Sequence, residues 1–554
     1  MSSAACRLGS PLEREGVFGM RILVTASLMA LVLGGCGGPP EPAAQEELAV
    51  IPSYEATGIV AKTLPELADD LAAGTITSEE LTQAYLDRIA LLDRDGPRLQ
   101  SIISLNPNAL PLARASDQRR KNGEALGPLD GVPVLLKDNI ESLDPMPTTA
   151  GSLALKDNIT GRDSPLVSGL RAQGAIILGK TNLSQWANFR DNDSMSGWSS
   201  IGGQVRNPHM LDRNPCGSSS GSGVAVAASL AAGAVGTETN GSIICPSNVN
   251  GIVGFKPTVG LISQEGIVPI SPSQDTAGPM TRTVRGAAMM MNAMDPGDED
   301  YTIGLSADSL KGMRIGVLHF AEGSNKDIKE KFTAALAVME AQGATLVDID
   351  AFEPAAENFW DSTLPLLEFE FKDSLNAYLA TTPETVTTKS LRELIAFNEV
   401  HADEEMPLFG QSLFIDSEAR GPLTDPEYLG AKAAVRFSTR EQGIDRLLAD
   451  YDVNLLVSPS GPISPRIDPV NGDVWPEWAG AGWLAAQAGY PHLTVPMGNV
   501  HGIPVGISFI GSAGDDAAII AYGYAYEQAT QLRPDPHYLT SAEERPEIST
   551  ALTK

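Results

Sequence analysis

Residues 216–257 read CGSSSGSGVAVAASLAAGAVGTETNGSIICPSNVNGIVGFKP, and this block decides how the rest of the chain is read. By composition alone, the opening Gly217-Ser218-Ser219-Ser220-Gly221-Ser222-Gly223 is a flexible linker. Its context argues otherwise. The block runs straight into Val224–Val235, an apolar, alanine-rich stretch that reads as a buried helix, and a second small-residue turn, Thr237–Ser242, follows at once. Glycine and serine in such buried places let backbone approach something closely, with N–H groups left free to point at a ligand. A catalytic or binding loop is the expectation.

Outward from the block, short apolar runs occur at Val132–Leu136, Ala175–Leu178, Ile252–Phe255, Arg314–Leu318, Val453–Val457 and Leu493–Val495. Helical spacing links Leu64, Leu67 and Leu71, then Leu81, Tyr85, Ile89 and Leu92, with Thr77-Ser78-Glu79-Glu80 as a cap and first turn. Lys329–Ala341 and Ala517–Ala529 also read as helices. Strands alternating with helices predict an α/β layered fold around a largely buried sheet. Residues 350–450, less apolar, read as a helical lid or substrate-side insertion. No linker divides the remainder, so one large domain over residues 61–540 is expected, with 541–554 as a tail.

Lys137 closes the run Val132–Leu136. Alone it reads as a solvated edge charge. At a sheet crevice it would instead lose solvation, its pKa would fall, and it could act as a base near neutral pH. A serine hydroxyl needs such a base, being a weak nucleophile until its proton is taken. The six histidines offer little competition. Gly217–Gly221 fits Gly-x-Ser-x-Gly formally, but without an obvious preceding strand a Ser-His-Asp site is a weak rival.

Gly131-Val132-Pro133-Val134-Leu135-Leu136-Lys137-Asp138-Asn139, Gly217–Gly221 and Gly236–Ile243 (GTETNGSI) together resemble the amidase signature family. The resemblance continues through Gly254–Thr258 (GFKPT), Asp275–Met280 (DTAGPM) and Gly502–Gly511 (GIPVGISFIG), over roughly residues 62–530. It implies a large mixed central sheet covered by helices on both sides and no metal or nucleotide cofactor. It also implies Ser242 as nucleophile, Ser218 as proton relay beside a cis peptide bond, and Lys137 as neutral base. Backbone N–H groups of Thr239, Asn240, Gly241 and Ser242 would form the oxyanion hole. The family often has glycine where Asn240 stands and arginine where Ile244 stands, so local support there is expected to differ. Cys216–Gly221, Ile244-Cys245-Pro246 and Trp186–Pro208 are similar to the bacterial peptide amidases, which remove ammonia from C-terminal peptide amides. A pocket for a primary carboxamide is implied, with Phe189 and Trp198 as wall candidates and core packing as their alternative role. Fatty or aryl amides, or amide binding without catalysis, are the other readings.

Met20-Arg21, the apolar run Ile22–Leu33 and Leu33-Gly34-Gly35-Cys36 describe a signal segment ending in a lipobox, with Met20 as a possible true start. Cys36 would be lipidated and residues 37–60 would form a tether, leaving the enzyme outside the cytoplasm on a bacterial membrane. The 554 residues carry a formal charge of −30, which repels phosphate backbones and disfavours nucleic-acid partners, a role in tRNA-directed amidotransfer included. Of the four cysteines, Cys216 and Cys245 lie in the folded part. They could pair in an oxidising compartment, but two small buried thiols are the favoured reading.

Overall fold

Apolar runs too short for helices become the strands of one eleven-stranded mixed sheet in the computed structural model, which describes residues 54–553. In spatial order the strands are Ile102–Leu105, Ile176–Thr181, Pro133–Lys137, Gly233–Glu238, Thr276–Thr281, Val253–Lys256, His492–Val500, Ile503–Ile510, Leu455–Pro459, Arg314–Leu318 and Thr345–Ile349. Pro133–Lys137 runs parallel to both its neighbours, Ile176–Thr181 and Gly233–Glu238. All three are buried along their whole length, as strands covered on both faces must be. Lys137 and Glu238 therefore sit at the carboxyl ends of adjacent parallel strands, where open α/β sheets place their ligands. Tyr54 onward forms one compact unit, and no described helix is long and apolar enough to cross a membrane.

The six strands expected from sequence are present, with edges moved by up to five residues, as where Leu493–Val495 extends to His492–Val500. The helices Leu64–Ala73 and Ser78–Ile89 also form, the second closed by a reciprocal cap. Thr77 Oγ1 accepts from the Glu80 amide, and the Glu80 carboxylate accepts from the Thr77 amide.

Val224–Val235 is not one helix. The helix is Ser220–Ala227, the chain then turns through Ser229 at φ 58°, and Gly233–Glu238 is a central strand. Every residue from Ser220 to Glu238 is buried, so the run carries no amphipathic period by which helix and strand could be told apart. The small-residue turn is correspondingly shorter, Thr239–Ser242.

Packing against the folded body extends back to Tyr54, ahead of the boundary expected at residue 61. The Tyr54 ring packs edge-on against Tyr538 at 5.6 Å, and Arg88 donates to the Tyr54 carbonyl at 2.9 Å. Residues read as a tail are partly helical, at Ala542–Glu544 and Pro546–Leu552. The signal segment, Cys36 and the rest of the tether lie outside the described residues.

Residues 350–450 are helical: Phe359–Ala380, Leu391–Val400, Ala402–Glu405, Ser412–Ala419 and Pro426–Thr439. They are tied to the sheet side by buried carboxylates. Glu370 accepts from the hydroxyls of Ser271 and Ser273, and Glu405 from Ser152 Oγ and the Leu153 amide.

Candidate active site

Lys137 is completely buried at the end of its strand. Its Nζ lies 2.7 Å from Ser218 Oγ, 2.8 Å from Thr237 Oγ1 and 3.1 Å from the Thr237 carbonyl. Asn139 Nδ2 donates to the same Thr237 hydroxyl at 3.0 Å, fixing it between the two strands. All three Lys137 partners are neutral. Burial therefore outweighs the attraction of Asp275 and Glu238 and lowers the amine to about 7.

Ser218 follows a cis peptide bond from Gly217. The Ser219 amide donates to the Ser242 carbonyl at 3.2 Å, which brings the two serine segments side by side. A disulfide between Cys216 and Cys245, with Cα atoms 5.9 Å apart, joins them a second time. The favoured expectation of two free thiols is thus corrected: pairing depends on how closely the two segments return, which their separation of 29 residues does not reveal. The glycines answer to close contacts. A Cβ on Gly221 would lie 2.4 Å from the carbonyl oxygens of Asn182 and Ser101.

The turn Thr239–Ser242 is held from below by two carboxylates. Glu238 Oε2 accepts from the amides of Ile243 and Ile244 at 2.8 and 3.0 Å. Asp275 accepts from Thr239 Oγ1 at 2.6 Å and from the amides of Ile270 and Ser271. Burial pushes the Asp275 carboxyl up to about 6 despite those donors. Among the described residues, the amides of Thr239, Asn240, Gly241 and Ser242 donate to no protein acceptor outside regular elements. Gly241 stands at φ 83°, a conformation that glycine adopts without penalty.

These residues open onto a cavity of about 290 Å³. Asn240, Gly241 and Ser242 line it together with Phe189, Leu367 and Trp475. Ser218, Thr237 and Asp275 line a smaller recess that shares Thr239 and Ile270 with it. Left-handed backbone at Trp186, Ala187 and Asn188 turns Phe189 to the wall, where its ring lies 4.9 Å from Phe371. Trp198 is not in the wall. It packs edge-on against Phe409 at 5.4 Å and near Arg190, in a separate cluster with Met195. Asp473, Trp475 and Trp478 border the cavity instead, from a loop far beyond Trp198 in sequence with no motif to single it out.

The histidine rival fails on geometry. Ser219, the middle residue of Gly217–Gly221, donates its hydroxyl to the Thr237 carbonyl. His209 bonds the Asn250 carbonyl and His492 bonds Ser508, and neither is hydrogen-bonded to Ser219.

The family model described as "Amidase" matches residues 80–520. A probable amidase of Arabidopsis thaliana is 36% identical over 84% of this chain and 89% of its own length. The solved peptide amidase of Stenotrophomonas maltophilia is 44% identical, covers 86% of this chain and 98% of its own, and superposes with a TM-score of 0.81. The solved structure of an amidase family protein from Bacillus anthracis is 35% identical, covers 86% of this chain and 93% of its own, and superposes with a TM-score of 0.78. The chain belongs to the amidase family and is an amide hydrolase.

Proposed function

We propose that the enzyme releases ammonia from primary amides, C-terminal amides of peptides in particular, through an acyl-enzyme on Ser242. The observation that carries this reading is the buried Lys137 amine 2.7 Å from Ser218 Oγ, beside a turn whose amides are free. As a neutral amine Lys137 accepts the Ser218 hydroxyl proton while donating to Thr237. Ser218 in turn takes the proton of Ser242 as its Oγ attacks the amide carbon. Negative charge on the substrate oxygen meets the amides of the Thr239–Ser242 turn. The carbon–nitrogen bond then breaks, the proton returns through Ser218 to the leaving nitrogen, and ammonia departs. Water attacks the resulting ester by the same relay and frees the acid.

The preference for peptide amides draws on the 44% identity to a peptide amidase and on a cavity walled by Phe189, Trp475 and Trp478. We further propose that the enzyme is exported and anchored by lipid at Cys36, a setting in which the Cys216–Cys245 bond would persist. The charge of −30 disfavours a tRNA-borne substrate.

Ammonia release from N-acetyl-leucyl-leucinamide tests the chemistry. The wild-type chain is expected to turn over, and Ser242→Ala to lose about 10³-fold or more in kcat. Full turnover by that variant would remove Ser242 as nucleophile.

A further inference from the structure

We infer that Asp473 makes the cavity selective for amides whose acyl part carries a positive charge. The inference rests on the reading of this cavity as the substrate site and names the class of substrate it favours. Among the described residues that line the cavity, Asp473 is the one that carries a formal charge; no lysine, arginine or histidine borders the space. Its carboxylate is held in place by neutral donors. Oδ1 accepts from Asn214 Nδ2 at 2.7 Å, and Oδ2 accepts from the Ser196 amide at 3.0 Å. No cation lies within 4.0 Å of it among the described residues.

The carboxylate is also tied to the reacting centre. Asn214 Oδ1 accepts from the amide of Cys216, two residues before Ser218. Ser196 Oγ stands 3.2 Å from where a Cβ on Gly217 would be. Burial raises the Asp473 carboxyl against the pull of its donors. A fixed carboxylate with no cation of its own is a recognition element for one supplied by a ligand. Trp475 and Trp478, whose rings meet edge-on at 5.4 Å at the same cavity, offer π faces that favour the same charge. The overall charge of −30 draws cationic substrates toward the enzyme as well.

An ammonium could come from the free N-terminus of a short peptide amide or from a basic side chain. Two substrate pairs separate these sources: leucyl-leucinamide against its N-acetyl form, and N-acetyl-leucyl-lysinamide against N-acetyl-leucyl-norleucinamide. For the wild-type enzyme, kcat/KM is expected to favour the charged member of at least one pair by about tenfold, the scale of one charge-assisted hydrogen bond. In Asp473→Asn that ratio is expected to fall to about one. Should the Asn variant fail to fold by circular dichroism, Asp473→Ser reads the same ratio with a smaller acceptor. Ratios near one in the wild type, or a ratio retained without the carboxylate, would overturn the inference. Failure of all four amides to react would instead sink the substrate reading itself.

Discussion

In the proposed mechanism Lys137 is fit to act as the base because two opposing effects are unequal. Burial without a bonded counter-charge lowers the amine to about 7, while Asp275 and Glu238 pull the other way and lose. A depressed lysine is protonated below that value and neutral above it, so the base form grows as pH rises. The expected profile of kcat/KM is therefore a rise of about tenfold per pH unit below 7, levelling above it. A profile flat from pH 5 to 9 would contradict a lysine base. Thr237→Val removes one of Lys137's acceptors and the partner of Asn139. It is expected to lower kcat by about tenfold with little change in KM, the pattern of a positioning residue. Ser218 and Ser242 were legible from the glycine and serine around them. Lys137 became legible only through the motif it closes, because a strand-end lysine alone looks like surface. Glu238 and Asp275 lie in motifs of the same kind, but their role was not legible: each accepts backbone amides, which is visible only when the turn is folded.

At the level of elements, the site is a meeting of two turns: Gly217–Ser219 leads into the helix Ser220–Ala227, and Thr239–Ser242 follows the central strand Gly233–Glu238. The Cys216–Cys245 bond joins two residues 29 apart in sequence and closes a loop around both turns. Chain-entropy reasoning gives about 3–4 kcal/mol of stabilisation for such a loop. Cys216→Ser with Cys245→Ser is expected to lose roughly that much in urea unfolding and to lower kcat, since the bond brackets both serines. Unchanged stability and turnover would show that packing alone holds the turns. Gly221→Ala forces a Cβ against two carbonyl oxygens at 2.4 Å and is expected to cost more than about 2 kcal/mol, read by the same unfolding curve. Runs such as Arg314–Leu318 were legible as strands because polar residues and glycine bound them. Val224–Val235 was not, because a fully buried run of alanine and valine suits a helix or a strand equally. The wall was half legible: Phe189 lies in Trp186–Pro208, the stretch similar to the peptide amidases, whereas Trp475 and Trp478 reach the cavity only by long-range folding.

Over the whole molecule, one sheet carries the lysine and the strand that leads into the Thr239–Ser242 turn, while the helix Phe359–Ala380 completes the cavity through Leu367. The α/β layering could be read from alternating runs, but not the strand order, which depends on pairings far apart in sequence. The proposed anchor belongs to this scale. In cells expressing the full chain, Cys36→Ser is expected to move activity from the membrane fraction to the soluble one. Unchanged fractionation would exclude lipidation at that residue. The central claim, that Ser242 is the nucleophile activated through Ser218 and Lys137, is tested most directly with a serine-reactive fluorophosphonate probe, followed by peptide mapping. A single adduct on Ser242, abolished in Ser242→Ala and strongly slowed in Lys137→Ala, is the expected result. An adduct on Ser218 or Ser219, or undiminished labelling of Ser242→Ala, would contradict it.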